Sequence, residues 1–151
     1  MAFLLDEFSK LISAVEEAEL EYAVCGGLAL AIHGFPRATI DIDLLIRAES
    51  LERAFEIGKE NGYNIHGLDI SFKERAVEIR RVSKIIGEDV LSLDLLLVTA
   101  FIEDVWETRE NVQFLGKQLS VVSREGLIKL KKLAGRPQDL ADIHRIENEE
   151  G

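Results

Sequence analysis

Asp41 and Asp43 stand two residues apart inside the apolar run ATIDIDLLI. Ionised carboxylates are tolerated in such surroundings when they are paired, hydrogen-bonded or bound to a metal. On an extended strand, residues i and i+2 leave the same face with Cα atoms roughly 6–7 Å apart, a spacing from which two carboxylates converge on one hard cation. Mg²⁺ suits the pair, because it takes one or two carboxylates from a protein and fills its other positions with water and substrate phosphates. Mn²⁺ accepts the same oxygen ligands. A nucleoside triphosphate such as ATP would supply the phosphates. Upstream, Gly26-Gly27 separates the apolar YAVC from the helix-forming LALAI. Two residues without Cβ at a helix start let an anion approach backbone N–H groups. Arg37 and Thr39 add a cation and a hydroxyl within reach of the same phosphates. Asp94, an isolated acid in LSLDLLLV, completes an oxygen-rich set as a further metal ligand or as a base for an attacking hydroxyl.

Each feature also has an ordinary reading. Asp41 and Asp43 fit the solvated face of an edge strand. Asp94 could cap a helix or pair with Arg80 or Arg81 on a neighbouring strand. Glycine pairs mark turns generally, and no Gly-Lys-Ser/Thr follows to make a Walker A loop. His33 reads as a helix-end residue and Cys25 as a small buried apolar group. Lys129, Lys131, Lys132 and Arg136 form the dense basic cluster of an otherwise acidic chain. Phosphate contact by at least one of them is expected; the ordinary reading is a solvated helix face near its C-terminus.

The elements that must position these groups follow from periodicity. Leu4, Leu5, Phe8, Leu11, Ile12 and Val15 recur at helical spacing, which predicts a helix over 4–19. Residues 21–24 read as a short buried strand ending at the glycine pair, followed by a helix to Gly34. The stretch 38–46 reads as a strand with Ile40, Ile42 and Leu44 on one face and Asp41 and Asp43 on the other. A helix over 49–61 stops at Gly62. Two or three strands are expected between Tyr63 and Val98, the clearest at 90–98. A helix is expected over 99–110, and a hairpin over 111–122 turning at Gly116-Lys117. Ser123 should cap a helix through Leu133, and a last helix should follow Arg136-Pro137, with the acidic ENEE at 147–150 frayed beyond it. The order predicts one α/β (α+β) domain over 1–151, a mixed sheet flanked by helices.

Composition sets limits. The chain has 151 residues, 47% hydrophobic and 30% charged, and a net charge of −10. That is a globular composition, and a nucleic-acid role would need a local basic patch. A single cysteine excludes an internal disulfide and a multi-thiolate zinc site. The N-terminus is a poor signal peptide, and no apolar run suggests a membrane span, so a cytoplasmic protein without membrane association is expected.

The Gly-Gly turn followed by HGFPRATIDID resembles the signature of the DNA polymerase β-like nucleotidyltransferases, in which a glycine turn precedes a helix and a strand bearing Asp-x-Asp. KKLAGRPQDLADI at 131–143 resembles a stretch in small single-domain members, including toxins of the abortive-infection type. The resemblance implies a nucleotidyltransferase fold and transfer of a nucleoside monophosphate from a triphosphate to an acceptor hydroxyl. Gly26 and Gly27 would hold triphosphate, Asp41 and Asp43 Mg²⁺, with Asp94 as third ligand or base. Lys131 and Arg136 would face phosphate or substrate, with Asp139 and Asp142 as polar partners. The acceptor, whether a small molecule, a protein or an RNA end, is left open. Many members carry Gly-Ser where this chain has Gly26-Gly27. The missing hydroxyl motivates the alternative of a weakly active or inactive nucleotide-binding module working with a partner protein, in the manner of a toxin–antitoxin pair. A homodimer is the other assembly expected.

Overall fold

The computed structural model describes residues 2–149, with side chains from Phe3 to Asn148. The chain runs α1 (Ala2–Glu17), β1 (Ala23–Cys25), α2 (Gly26–Ile32), β2 (Asp41–Ile46), α3 (Leu51–Glu60), β3 (Ile65–His66), β4 (Ile70–Phe72), β5 (Val77–Ile86) and β6 (Asp89–Leu97). It continues through α4 (Glu103–Glu107), β7 (Glu110–Phe114), β8 (Lys117–Val121), α5 (Arg124–Ala134) and α6 (Pro137–Glu149). The eight strands form one mixed sheet in the order β3-β5-β6-β2-β1-β8-β7, with β4 also paired to β5. β2 runs parallel to β6 and β1 parallel to β8, and the remaining pairs are antiparallel. The α/β expectation holds. Among the described residues no helix is long and apolar enough to cross a membrane.

β2 lies between β6 and β1, so the edge-strand reading of Asp41 and Asp43 falls. Because strand side chains alternate, Ile42 and Leu44 go to one face, with their β6 partners Leu93 and Leu95. α3 packs there, its Gly58 close enough that a Cβ would touch Leu93 and Val82 at 3.6 and 3.7 Å. α1 joins it, burying Leu4, Phe8, Leu11, Ile12 and Val15, the stripe its spacing predicts. The opposite face carries Asp41, Asp43 and Asp94 and is walled by α5 and α6.

Several boundaries move for local reasons. β2 begins at Asp41 rather than Ala38, and Ile40 is 67% exposed instead of sharing the face of Ile42. The segment before it is held by α6: Arg145 donates to the Phe35 and Pro36 carbonyls, and Arg37 binds Asp142. Four strands, not two or three, lie between Tyr63 and Val98. The helix expected over 99–110 shrinks to a 3₁₀ turn at 100–102 and α4, because Glu110 is drawn into β7 opposite Val121. The β7–β8 turn is Leu115-Gly116, both at positive φ (52° and 75°), and Lys117 already pairs with Phe114. That is the two-residue hairpin geometry for which a following glycine is suited. α5 is capped as expected, the Ser123 Oγ accepting from the Gly126 N–H at 3.0 Å; it runs to Ala134, where Gly135 at φ 63° closes it. Pro137 opens α6, where its missing N–H costs nothing. α6 remains helical through Glu149, so the tail 147–149 is ordered helix, and Glu150 lies outside the described residues.

Candidate active site

The three acids are brought together by register. Asp43 and Asp94 are direct partners across the parallel β2–β6 pair, and Asp41 lies opposite Ser92 one step nearer the strand start. Cys25 pairs with Asp43 on the other side, so the residue after it, Gly26, passes over the Asp43 carboxylate. Gly26 has φ +66°, and a Cβ there would fall 2.6 Å from Asp43 Cγ and nearer still to its Oδ2. A Cβ on Gly27 would sit 2.9 Å from both Cβ and Oγ1 of Thr39. The glycines are therefore required by the chain's own Asp43 and Thr39, a tighter reason than the approach of an anion. For Gly27→Ser the clash should cost about 1–3 kcal/mol. Adding Thr39→Gly should recover much of it, readable as coupling in a double-mutant cycle by urea unfolding.

An open cleft of about 290 Å³ covers this face. It is lined by Gly26, Gly27, Arg37, Thr39, Asp41, Asp43, Asp94, Lys131, Arg136 and Asp139 of the candidates read from the sequence, and not by Lys129, Lys132 or Asp142. Its apolar wall is Val77, Ile79 and Leu96 with Leu127 and Leu130. The C-terminal helices supply an ion network. Lys131, 5% exposed, places Nζ 2.9 Å from Asp142 and 3.8 Å from Asp139. Arg37 grips Asp142 through Nε and NH2 at 3.0 and 3.1 Å, and Arg136 Nε donates to Asp139 at 2.7 Å. Burial works against ionisation of Asp142, but Lys131 and Arg37 outweigh it and hold the carboxyl below the usual range. The rest of the basic cluster goes elsewhere: Lys129 pairs with Asp104, and Lys132 is exposed. His33 bonds the Val122 carbonyl and Cys25 is buried, the ordinary readings of both.

One residue has a larger part than its sequence suggested. Arg81, opposite Asp94 in the β5–β6 pair, donates to both its oxygens: Nε to Oδ1 at 2.7 Å and NH2 to Oδ2 at 2.9 Å. It also stands 3.9 Å from Asp41 Oδ2. The expected pairing of Asp94 with an arginine thus coexists with its place among the acids. The signal was legible in part: a two-residue turn at Gly87-Glu88 pairs Ile86 with Asp89, and counting back along both strands reaches Arg81 and Asp94.

The acids crowd one another. Burial first, then the charges of Asp94 and Asp41 and a hydrogen bond with Asp94, push the Asp43 carboxyl up to about 8. Burial and Asp94 also raise Asp41, against the opposing pull of Arg81. Folded Asp43 thus keeps a proton that the unfolded chain releases near 3.8. Since the native state binds more protons across that window, stability should fall as pH rises from about 4 to about 8. Thermal unfolding in chelator should show this slope, and Asp43→Asn should flatten it. Among the described residues no three ligating side chains are already disposed around one ion, and Arg81 supplies positive charge beside the acids. An all-oxygen donor set under mutual repulsion nevertheless suits a hard divalent cation.

No protein-family model and no curated protein matches the chain. Solved structures do. The antibiotic-resistance factor ANT(2'')-Ia superimposes with a TM-score of 0.70 at 15% identity, over 99% of this chain and 85% of that one. The chain has a nucleotidyltransferase-like fold. The lincosamide antibiotic adenylyltransferase LnuA, in its lincomycin-bound structure, matches with a TM-score of 0.65 at 12% identity, over 95% and 96% of the two chains. TM1012 of Thermotoga maritima, whose assignment as a nucleotidyltransferase is provisional, gives 0.63 at 16% identity over 96% and 92%. At these identities the likeness is one of fold, and it extends over nearly the whole of this nucleotidyltransferase-like chain.

Proposed function

We propose that the protein is a metal-dependent nucleotidyltransferase, which moves a nucleoside monophosphate from a nucleoside triphosphate to an acceptor hydroxyl and releases pyrophosphate. The observation that carries this reading is the stacking of Asp43 and Asp94 on adjacent central parallel strands, with Asp41 on the same face beside them. Asp41, Asp43 and Asp94 would hold Mg²⁺ or Mn²⁺, which when bound neutralises charge on the reacting phosphoryl group and the leaving pyrophosphate. Lys131 and Arg136 at the α5–α6 wall and Arg37 from the segment before β2, oriented by Asp139 and Asp142, would present positive charge to the triphosphate. Thr39 offers a hydroxyl at the glycine turn. The acceptor oxygen attacks the α-phosphorus, the bond to the bridging oxygen of pyrophosphate breaks, and Asp94 would help take the acceptor proton. A hydroxyl-bearing small molecule is the acceptor class favoured by the likeness of fold to an antibiotic-resistance factor and to a lincosamide antibiotic adenylyltransferase. The apolar wall of the cleft offers it, or the nucleobase, a surface.

A second reading, nucleotide binding without turnover, is favoured by one observation: Arg81 engages both oxygens of Asp94. One experiment separates the two. Each of the four triphosphates, labelled at the α-phosphate, is incubated with Mg²⁺, the protein and a panel of hydroxylated acceptors, with thermal unfolding followed in parallel. Nucleotide at about 100 times its dissociation constant should add roughly 2.7 kcal/mol of stability. Stabilisation with labelled product supports transfer, stabilisation without product across the panel supports the binding module, and neither removes both.

A further inference from the structure

Arg81 is the charged group of the cleft for which nucleotidyl transfer, as described above, has no use. It projects from β5 onto the face of the acids. Its main chain is held, since its carbonyl accepts from the Gly67 N–H at 2.9 Å and a Cβ on Gly67 would touch Arg81 Cβ at 3.4 Å. Its side chain is not enclosed: it is 38% exposed, against 7% for the carboxylate that it grips. A two-pronged guanidinium–carboxylate contact is among the stronger polar interactions of a protein and fixes both partners. Asp94 therefore has each oxygen committed to a cation that the chain itself carries.

Resting on the reading that Asp41, Asp43 and Asp94 hold a divalent ion, we propose that Arg81 is an internal counter-cation that competes with the metal for Asp94 and withdraws when nucleotide enters. Two cations cannot share the Asp94 oxygens without mutual repulsion, so metal alone binds against the Arg81 contact. A triphosphate in the cleft offers the displaced guanidinium new anionic partners, and the exposure of Arg81 leaves it a route toward them. Metal uptake is thereby tied to nucleotide, and the three acids remain partly neutralised in its absence.

Binding of Mn²⁺, read from the loss of the free-ion EPR signal, tests this without any turnover. Arg81→Gln should bind Mn²⁺ at least tenfold more tightly than wild type, and Arg81→Lys, which keeps the charge but not the fork, should fall between them. A non-hydrolysable ATP analogue, the Mn²⁺ that it binds by itself being measured without protein and subtracted, should then strengthen Mn²⁺ binding by the wild type more than by Arg81→Gln. Circular dichroism confirms the fold, and if Arg81→Gln does not fold, Arg81→Lys carries the comparison alone. Equal or weaker Mn²⁺ binding by the folded variant overturns the competition while leaving the metal site standing. Equal strengthening by the analogue in both proteins overturns the tie to nucleotide. Mn²⁺ bound by neither protein, with or without analogue, overturns this proposal and the metal-dependent reading together.

Discussion

Asp43→Asn is expected to lower nucleotidyl transfer by about 10³-fold, the scale on which loss of one preorganised electrostatic group is felt, while leaving the protein folded and, in chelator above neutral pH, more stable. Both effects have one cause. Asp43 is pressed between Asp41 and Asp94 under the Gly26 turn, with burial and like charge both opposing its ionisation. Asparagine keeps the shape and a hydrogen-bonding oxygen but removes the repulsion. A side chain that destabilises the resting protein and serves the reaction is the usual sign of a functional acid. Transfer followed by the α-phosphate label entering the acceptor and a parallel thermal scan check the two halves. Unchanged transfer would remove Asp43 from the machinery, and a variant that lost its fold would show Asp43 to be structural.

Lys131→Met should produce the largest loss of stability, about 3–5 kcal/mol by urea unfolding, because it removes the shared cation from a buried group of charges. Lys131 Nζ lies between Asp142 and Asp139, whose side chains are each only 4% exposed. Methionine fills the volume without the charge. The carboxylates would keep Arg37 and Arg136, whose side chains are more exposed than that of Lys131. Asp142→Asn in the same background should return part of the loss, since one fewer buried charge then needs a partner. A cost below about 1 kcal/mol would mean that the two arginines suffice, and the case for Lys131 would rest on substrate alone.

The period-two spacing of Asp41 and Asp43, and the isolation of Asp94 in an apolar run, were legible because a strand puts alternate residues on one face whatever its neighbours are. The cap at Ser123 and the start at Pro137 were equally local, set by backbone groups within a few residues. The stripe of α1 was readable for the same reason. Lys131 and Arg136 could be paired with the acids because KKLAGRPQDLADI resembles known members, not because of their spacing.

What needed the tertiary structure is whatever depends on which strand lies beside which. Only the β2–β6 register sets Asp43 against Asp94, and only the place of β2 between β6 and β1 excludes an edge strand. The β5–β6 pairing decides that Arg81 meets Asp94, whereas its neighbour Arg80 turns away to Glu78 and Asp69. Gly26 and Gly27 signal a turn by themselves, but what forbids a side chain there comes from far along the chain: Asp43 in β2, seventeen residues after Gly26, and Thr39 just before that strand, twelve after Gly27. Side-chain type and spacing determined which residues of this chain could do chemistry. Long-range pairing, whose energy is shared over many contacts and attached to no single residue, decided where they meet and what already occupies the place between them.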